Sequence, residues 1–545
     1  MTAFLAGMTS LALELVLVRL LAFFLASTAD FLAIPLALLG LALGSMYAHF
    51  GHRGPPERLV SISAAAVLPV VVGSLVALFG VFDRFFYEVY VFSRSPETDA
   101  LRLVVYGLIL LPPFAVFGAL FAGLFSGNPD RLGRLYAADL AGAAFGCLLT
   151  PVLLTLSGLP AALLGVVAGA LVLTWVAGPP RRLVRLAAGA LFAAVVAGVA
   201  AGVLFRETPD PTTLAHAVLR GTDGQPVVSS LRVRWNEIAR TALVRIARTG
   251  RTQYFVVQDN GLSNVTLQAW PPTEAATTAE VHDLPWRLGR SPERVLVLFA
   301  GAGRDMMNFD RLSDGKADIT GVELNPAVRN QGVAVRKLKI GEFLAKPNIH
   351  LVIQEGRDFL DHDRGTYDLI YVANNGAVIA GRTGHTRKFL DTREAMSAYL
   401  DHLAPDGLLV FANQPVAEKI TSFRGLFEEA GLGDFGRAAF VWGKRPELQT
   451  LVIAKAGFTP LDLPALEAEA GESPVLFRPG ETRLDRLEAP TLVTDDRPFT
   501  HGLRLSLLRL DPRSRPRDLA YTSSWVKVFT VALFTVLSAA AGLVV

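Results

Sequence analysis

Three segments with the composition of β-strands end in glycine-rich or acidic turns. Val295–Phe299 runs into a turn that contains Gly301 and Gly303, and Ile319–Glu323 ends in an acid about twenty residues later. A Gly-x-Gly turn lets the backbone approach a nucleotide closely, and an acid ending the next strand can accept hydrogen bonds from both ribose hydroxyls. The third segment ends at Glu355, where a carboxylate can meet an adenine amino group. This spacing predicts a nucleoside-binding site.

Each of these features also has a purely structural interpretation. Tight turns use glycine for steric reasons, and Glu355 can be an ordinary surface carboxylate. Asp305 follows the glycine turn closely, and we assign it to catalysis together with Asn374, Asn375 and His385, which come after the fourth predicted strand. The histidines have no metal-ligand spacing and no Gly-x-Ser-x-Gly motif occurs, so the sequence predicts neither a metal site nor a serine nucleophile.

Alternating strands and helices would position these residues. Helix-compatible segments such as Asn325–Leu338 and Thr392–Leu403 separate several strands, and this alternation is typical of a parallel, doubly wound, Rossmann-like α/β domain. The remaining strands are predicted at Ile349–Gln354, Leu369–Val372 and Gly407–Ala412. An N-terminal β-hairpin region is predicted from Thr241–Ala247, Gln253–Gln258 and the turn sequence Asp259-Asn260-Gly261.

Together these motifs resemble the spermidine synthase family over roughly residues 233–413. The matching runs are Ala279-Glu280-Val281-His282-Asp283, Arg294 to Leu298, Gly301 to Gly303, Gly321-Val322-Glu323, Glu355-Gly356-Arg357 and Tyr367 to Ile370. The membrane-fused branch of that family is similar at Gly7 to Ser10, Leu41 to Ser45, Leu135 to Asp139 and Thr494 to Phe499. The resemblance implies a methyltransferase-type fold and a site for S-adenosylmethionine or its decarboxylated form.

The sequence departs from that family where the reaction would take place. In aminopropyltransferases an aspartate follows the fourth strand and deprotonates the attacking amine, but alignment on Tyr367 and Asp368 places Ala373 there. Alanine cannot act as a base. The glycine-rich turn is also shorter than in the family. Polyamine synthesis is therefore disfavoured.

The segment after Ala373 is basic, whereas a polyamine site would need acids. Arg382, Arg387 and Lys388, beside His385, have the chemistry of a phosphate site. An ionised phosphate or carboxylate oxygen needs no general base, so the missing aspartate and the basic segment have one explanation if the acceptor is an anion. We assign these three cations to a phospholipid headgroup. The alternative is a basic patch attracted to an anionic membrane surface.

Composition places much of the chain in a membrane. The 545 residues are 51% hydrophobic and only 19% charged, whereas soluble domains carry about 25% charged residues. Seven apolar stretches are long enough to cross a bilayer: about 3–26, 31–50, 59–81, 101–126, 135–157, 159–178 and 183–205. We predict a membrane domain at 1–205, a spermidine synthase-like α/β domain at 206–520 and a C-terminal membrane helix at 521–545.

Charges bear on the partners and on the orientation. The net charge of +3 and the absence of a long basic run exclude a nucleic-acid partner, and a single cysteine, Cys147, excludes a disulfide within the chain. The loop arginines between the N-terminal stretches predict a soluble domain outside the cell, whereas those before the final stretch favour the cytoplasm. We expect the protein to lie in a bacterial-type inner membrane, with its soluble domain on the cytoplasmic side. Membrane lipids are the expected partners, and a homo-oligomer is left open.

Charged residues occur within the apolar stretches and beside the last one. Glu14, Arg19 and Asp139 would be costly in lipid, by at least about 2.5–3.5 kcal/mol on insertion scales, so they mark function or a buried pair. Asp139 is a candidate partner for Arg19. Asp495 and Asp496 are expected either to point into the cleft, to bind a cation, or to form a turn held by its own aspartate–arginine hydrogen bonds.

The fold expected is a multi-pass α-helical membrane bundle joined to the α/β domain. The activity expected is modification of an anionic phospholipid headgroup, by alkyl transfer from an adenosyl sulfonium donor. A variant of this hypothesis needs no donor and performs cyclisation or elimination. A different class is a transporter or sensor, in which the α/β domain binds a nucleoside or polyamine without catalysis.

Overall fold

A computed structural model describes residues 1–25, 33–85, 96–205, 227–236, 238–248, 251–259, 263–273, 281–373, 389–445, 448–481, 484–489 and 492–496. The chain forms two compact units. One contains the N-terminal helices and the short segment Arg234–Arg240, and the other contains the described residues up to Val233 that follow those helices, together with Thr241 and the part of the chain described after it.

The N-terminal unit is built from helices long and apolar enough to cross a membrane, six of them within the described residues. They are α1 (Thr2–Leu25), α2 (Ala33–Met46), α3 (Pro56–Phe85), α4 (Pro96–Ser126), α5 (Leu132–Ala177) and α6 (Arg182–Ala200). The second candidate span reaches the necessary length because α2 continues into the π-helical turn Tyr47–Gly51. α5 has a non-helical residue, Gly158, with φ 80°. Its two halves correspond to the predicted stretches 135–157 and 159–178. The predicted stretch 521–545 lies outside the described residues.

Small residues allow these helices to approach closely. A Cβ atom on Gly142 of α5 would overlap the main chain of Phe4 in α1, and one on Gly44 of α2 would overlap the main chain of Ala115 in α4. Close backbone approach through glycine and alanine is the usual way in which membrane helices pack.

The second unit begins with a four-stranded sheet in the order β1-β2-β3-β4. Its strands are β1 (Val227–Trp235), β2 (Arg240–Arg248), β3 (Arg251–Gln258) and β4 (Ser263–Leu267). β2 and β3 pair antiparallel from Thr241 opposite Gln258 to Arg248 opposite Arg251. The predicted hairpin region is confirmed, although Asn260 and Gly261 of its predicted turn lie outside the described residues.

An eight-stranded sheet follows, in the order β12-β10-β11-β9-β8-β5-β6-β7. Its strands are β5 (Arg294–Leu298), β6 (Asp318–Glu323), β7 (Ile349–Ile353), β8 (Tyr367–Val372), β9 (Leu403–Gln414), β10 (Ala439–Arg445), β11 (Leu448–Ala454) and β12 (Val475–Phe477). The five predicted strands, β5 to β9, pair in parallel. The antiparallel strands β10 to β12 were not predicted, so the sheet is mixed and not purely parallel.

Short helices connect the strands: α7 (Leu284–Arg287), α8 (Arg304–Leu312), α9 (Pro326–Ala334), α10 (Ile340–Leu344), α11 (Gly356–His362), α12 (Arg393–His402), α13 (Ala417–Glu429), α14 (Phe435–Ala438) and α15 (Leu463–Ala470). The predicted helix Asn325–Leu338 is in fact interrupted. Val335 leaves the helical conformation with ψ 76°, and a 3₁₀ turn takes up Arg336–Leu338. Asn325 caps α9 by accepting from the Ala327 amide.

The large sheet is covered by hydrophobic side chains on both faces. In β5 the alternate residues Val295 and Val297 belong to one core, while Leu296 and Leu298 belong to the other. All four are fully buried, as expected for a central parallel strand. Only the strand ends, where the chain turns into helices, are left to form a site.

Candidate functional site

The carboxyl edge of the parallel strands brings two of the predicted cofactor residues together. β5 and β6 are neighbours, so the turn after β5 lies beside the last residue of β6. Glu323 Oε2 accepts a hydrogen bond from the Gly301 amide at 3.0 Å, and Oε1 accepts from the Asn325 amide at 2.8 Å. In open α/β sheets, ligands bind at this edge.

The Glu323 carboxylate is nearly enclosed, with 8% of the residue exposed. Burial raises the pKa of Glu323, and the hydrogen bonds from the Asn325 and Gly301 amides oppose that rise. Each carboxylate oxygen can accept a second hydrogen bond, because an ionised carboxylate has about four acceptor positions. Glu323 therefore retains the capacity to accept both ribose hydroxyls, and in this respect the site fits a nucleoside.

Glycine is required at position 301 by the turn itself. Gly301 has φ 59°, in the left-handed region, and a Cβ atom there would lie 2.8 Å from Val265 Cγ1 in β4. Gly303, with φ 90°, begins α8. The structural interpretation of the two glycines is thus confirmed, while their predicted contact with a cofactor stays a prediction.

Asp305 is held inside the α/β domain. His282 Nε2 lies 2.9 Å from Asp305 Oδ1, and the His282 ring stacks on Tyr371 with ring centroids 5.3 Å apart. Burial would raise the pKa of Asp305, but the hydrogen bond and charge of His282, with the charge of Arg304, outweigh it and hold this pKa below its ordinary value. The catalytic assignment of Asp305 stays a prediction. His282 was present in the family motif, but no local pattern predicted that it pairs with Asp305.

Glu355 ends the turn after β7, next to β6 in the sheet. It is exposed, and its Oε2 accepts from the Asp358 amide at 2.9 Å, so it caps α11. This is a structural role. The second role predicted for Glu355, as a partner of a base, stays a prediction.

Ala373 follows β8 and is buried, and its amide donates to Leu298 O at 3.2 Å. It therefore lies beside the end of β5. The predicted catalytic and headgroup residues beyond it lie outside the described part of the chain: Asn374, Asn375, Arg382, His385, Arg387 and Lys388.

Asp495 makes structural contacts, while the predicted turn with Arg497 lies partly outside the described residues and the predicted cleft or cation role stays a prediction. The Asp495 carboxylate accepts from Thr392 Oγ1 at 2.7 Å and lies 3.5 Å from Arg357, while its amide donates to Glu394. The side chain thus fastens the segment 492–496 to the N-terminus of α12. No group of three metal-binding side chains occurs among the residues with a described position.

The charged residues of the N-terminal helices do not pair as predicted. Asp139 of α5 lies directly beside Gly7, since a Cβ atom on Gly7 would overlap the main-chain and carboxylate oxygens of Asp139. Arg19 is twelve residues further along α1, about 18 Å at 1.5 Å per residue. Arg19 is therefore out of reach of Asp139. No functional role is tested for these two residues or for Glu14.

Sequence reasoning missed Phe299. The strand was predicted to include it, but β5 ends at Leu298, because Phe299 adopts φ 58° in the left-handed region. A bulky side chain is rare in that conformation. In the sequence, the only signal was a phenylalanine directly before Ala300-Gly301-Ala302-Gly303, where further glycines would be expected.

The comparisons with known proteins give weak structural similarity alone. No protein-family model and no curated protein matches the sequence. A crystal structure of spermidine synthase in complex with the transition-state analogue AdoDATO is 14% identical, covers 50% of this chain and 84% of its own, and has a TM-score of 0.32. Spermidine synthase from Thermotoga maritima is 13% identical, covers 50% of this chain and 84% of its own, and has a TM-score of 0.32. An SAH-bound Podospora anserina methyltransferase is 18% identical, covers 32% of this chain and 78% of its own, and has a TM-score of 0.22.

Proposed function

We propose that this chain is a membrane transferase that binds an adenosyl sulfonium compound at the carboxyl edge of its large sheet. The observation that supports this is the pairing of Gly301 and Glu323 at the ends of two adjacent parallel strands. A nearly enclosed carboxylate with free acceptor capacity is suited to the two hydroxyls of a ribose. Glu355, one strand further, is available to the base.

The acceptor in this proposal is the anionic headgroup of a phospholipid. A phosphate or carboxylate oxygen would attack the carbon attached to the sulfonium sulfur, and the carbon–sulfur bond would break with its electrons passing to sulfur. The products are an alkylated headgroup and a neutral thioether. No proton is released, which suits a site with Ala373 where a base would otherwise follow β8. The apolar helices would keep the protein beside its substrate.

A second candidate is donor-free cyclisation or elimination of the same class of lipid. One observation favours it: both oxygens of Glu323 already accept backbone amides, so the turn is satisfied without a nucleoside. The two candidates differ in whether an adenosyl compound binds at all.

The test uses the full-length protein in detergent and in vesicles of phosphatidylglycerol. Binding of S-adenosylhomocysteine and of 5′-deoxy-5′-methylthioadenosine is measured by calorimetry, and lipid products by mass spectrometry after addition of an adenosyl sulfonium donor. We expect Glu323→Ala to abolish binding and product. Glu342→Ala, at an exposed glutamate in α10, is the matched control and should change neither. Product that persists in Glu323→Ala without added donor would instead establish the donor-free reaction.

A further inference from the structure

Phe299 is a strained residue at this edge of the sheet. Its φ of 58° is one that glycine adopts freely and that a bulky side chain rarely takes. The backbone on either side is fixed, since Leu298 O accepts from the Ala373 amide at 3.2 Å and the Ala300 amide donates to Val322 O at 3.0 Å. Strain of this kind persists only where the surroundings determine it, and it is concentrated at functional sites.

Phe299 follows the last residue of the central strand, and its contacts place it at the end of the sheet. It is partly buried and packs against the hydrophobic cores on both faces of the sheet. A glycine at this position would satisfy the backbone and leave the space open. The side chain therefore removes volume from the edge at the one strand end that stands between β6 and β8.

The order of the strands sets the direction in which a ligand must lie. The sheet runs β7-β6-β5-β8, with Glu355 after β7, Glu323 ending β6, and Ala373 after β8. A nucleoside with its ribose at Glu323 and its base towards Glu355 must extend its sulfur-bound arm in the opposite direction, over the end of β5. That arm meets Phe299.

We propose that Phe299 determines specificity by restricting this arm to a short, uncharged group. An aromatic ring offers no hydrogen-bond donor to a carboxylate, and an unpaired charge is costly in a partly buried position. Three backbone donors of the turn are already used: the Gly301 amide donates to Glu323, the Ala300 amide to Val322 O and the Gly303 amide to Ala300 O. The inference rests on the proposed nucleoside site and specifies its ligand: an adenosine thioether or sulfonium without an amino-acid arm.

The experiment compares two probes by calorimetry on the full-length protein in detergent. 5′-Deoxy-5′-methylthioadenosine has a short, uncharged arm, and S-adenosylhomocysteine has an amino-acid arm. We expect the unmodified protein to bind the first at least tenfold more tightly, and Phe299→Gly to reduce that ratio below threefold by improving the second. Phe299→Leu, which keeps a bulky apolar side chain, should retain the preference. Thermal unfolding of each variant identifies any that fails to fold.

The outcomes separate this inference from the proposed function. Equal ratios in the unmodified protein and in Phe299→Gly would overturn the role of Phe299 and leave the nucleoside site intact. Binding of neither probe by any folded variant would overturn both. Binding by Phe299→Gly alone would overturn the proposed selection for a short arm, because the natural chain would then bind neither probe, and would contradict donor-dependent catalysis by the natural chain.

Discussion

The buried ion pair between Lys419 and Asp391 gives a direct test of the packing of the α/β domain. Lys419 Nζ lies 2.8 Å from Asp391 Oδ1, and the side chains are 2% and 7% exposed. The ammonium also donates to Pro415 O at 2.9 Å and lies 5.3 Å from the centroid of the Phe411 ring. Lys419→Met keeps most of the length of the side chain but removes this cation from the buried carboxylate. Removing one partner of such a pair costs about 3–5 kcal/mol.

The assay is urea unfolding of the full-length protein in detergent, followed by tryptophan fluorescence; Trp442, buried in the α/β core, reports on this domain. Lys419→Met combined with Asp391→Leu should recover most of the loss, because no charge then remains buried. Lys316→Met removes a cation 3.8 Å from Asp314 at the surface, and should cost less than about 1 kcal/mol. A loss below about 1 kcal/mol for Lys419→Met alone would refute the reasoning.

Three further changes test other parts of the domain. Gly301→Ala should lower the free energy of unfolding by at least about 1–2 kcal/mol, because of the left-handed φ, and should abolish adenosyl binding in calorimetry. Asp495→Asn weakens the hydrogen bond from Thr392, by about 1 kcal/mol, and should increase amide hydrogen exchange at the start of α12 and nowhere else in the α/β domain. Burial and the charge of Asp283 raise the pKa of Glu469, so the folded state holds this proton more tightly than the unfolded state does. The stability that this proton contributes is fully present below the unfolded-state pKa and is lost as pH rises through the folded-state pKa. Melting temperatures measured between about pH 5 and pH 8 should therefore fall with pH less steeply in Glu469→Gln than in the natural protein.

The parallel half of the sheet was predictable because its signals are local. Each strand is a short run of branched apolar residues, and such a run is enough to identify a strand that is buried on both faces. The turn at Gly301 and the acid at Glu323 follow from the same runs, since neighbouring parallel strands end at the same edge. Their place at one edge was thus predicted, whereas the hydrogen bond between them, 22 residues apart in the chain, was not.

The rest of the domain depends on distant contacts that no local pattern shows. β10 to β12 are held by pairing with β9 and with one another, so their assignment requires the sheet to exist first. Thr392 and Asp495 are 103 residues apart, and neither residue type predicts the other. Phe299 was assigned to a strand because phenylalanine favours strands, whereas hydrogen bonds from both neighbouring strands fix its backbone in a turn.

Donor and acceptor would be recognised by different parts of the chain. Glu323 and Glu355 place two carboxylates at the ends of adjacent strands, and such an edge repels an anionic lipid unless cations lie nearby. In the sequence, the closest group of cations after Ala373 includes Arg387 and Lys388. Replacing both by Gln should therefore abolish alkylation of phosphatidylglycerol in vesicles, while binding of adenosyl compounds in calorimetry stays unchanged. Loss of both properties together would mean that these cations support the fold or the donor site, and retention of both would exclude them from headgroup recognition.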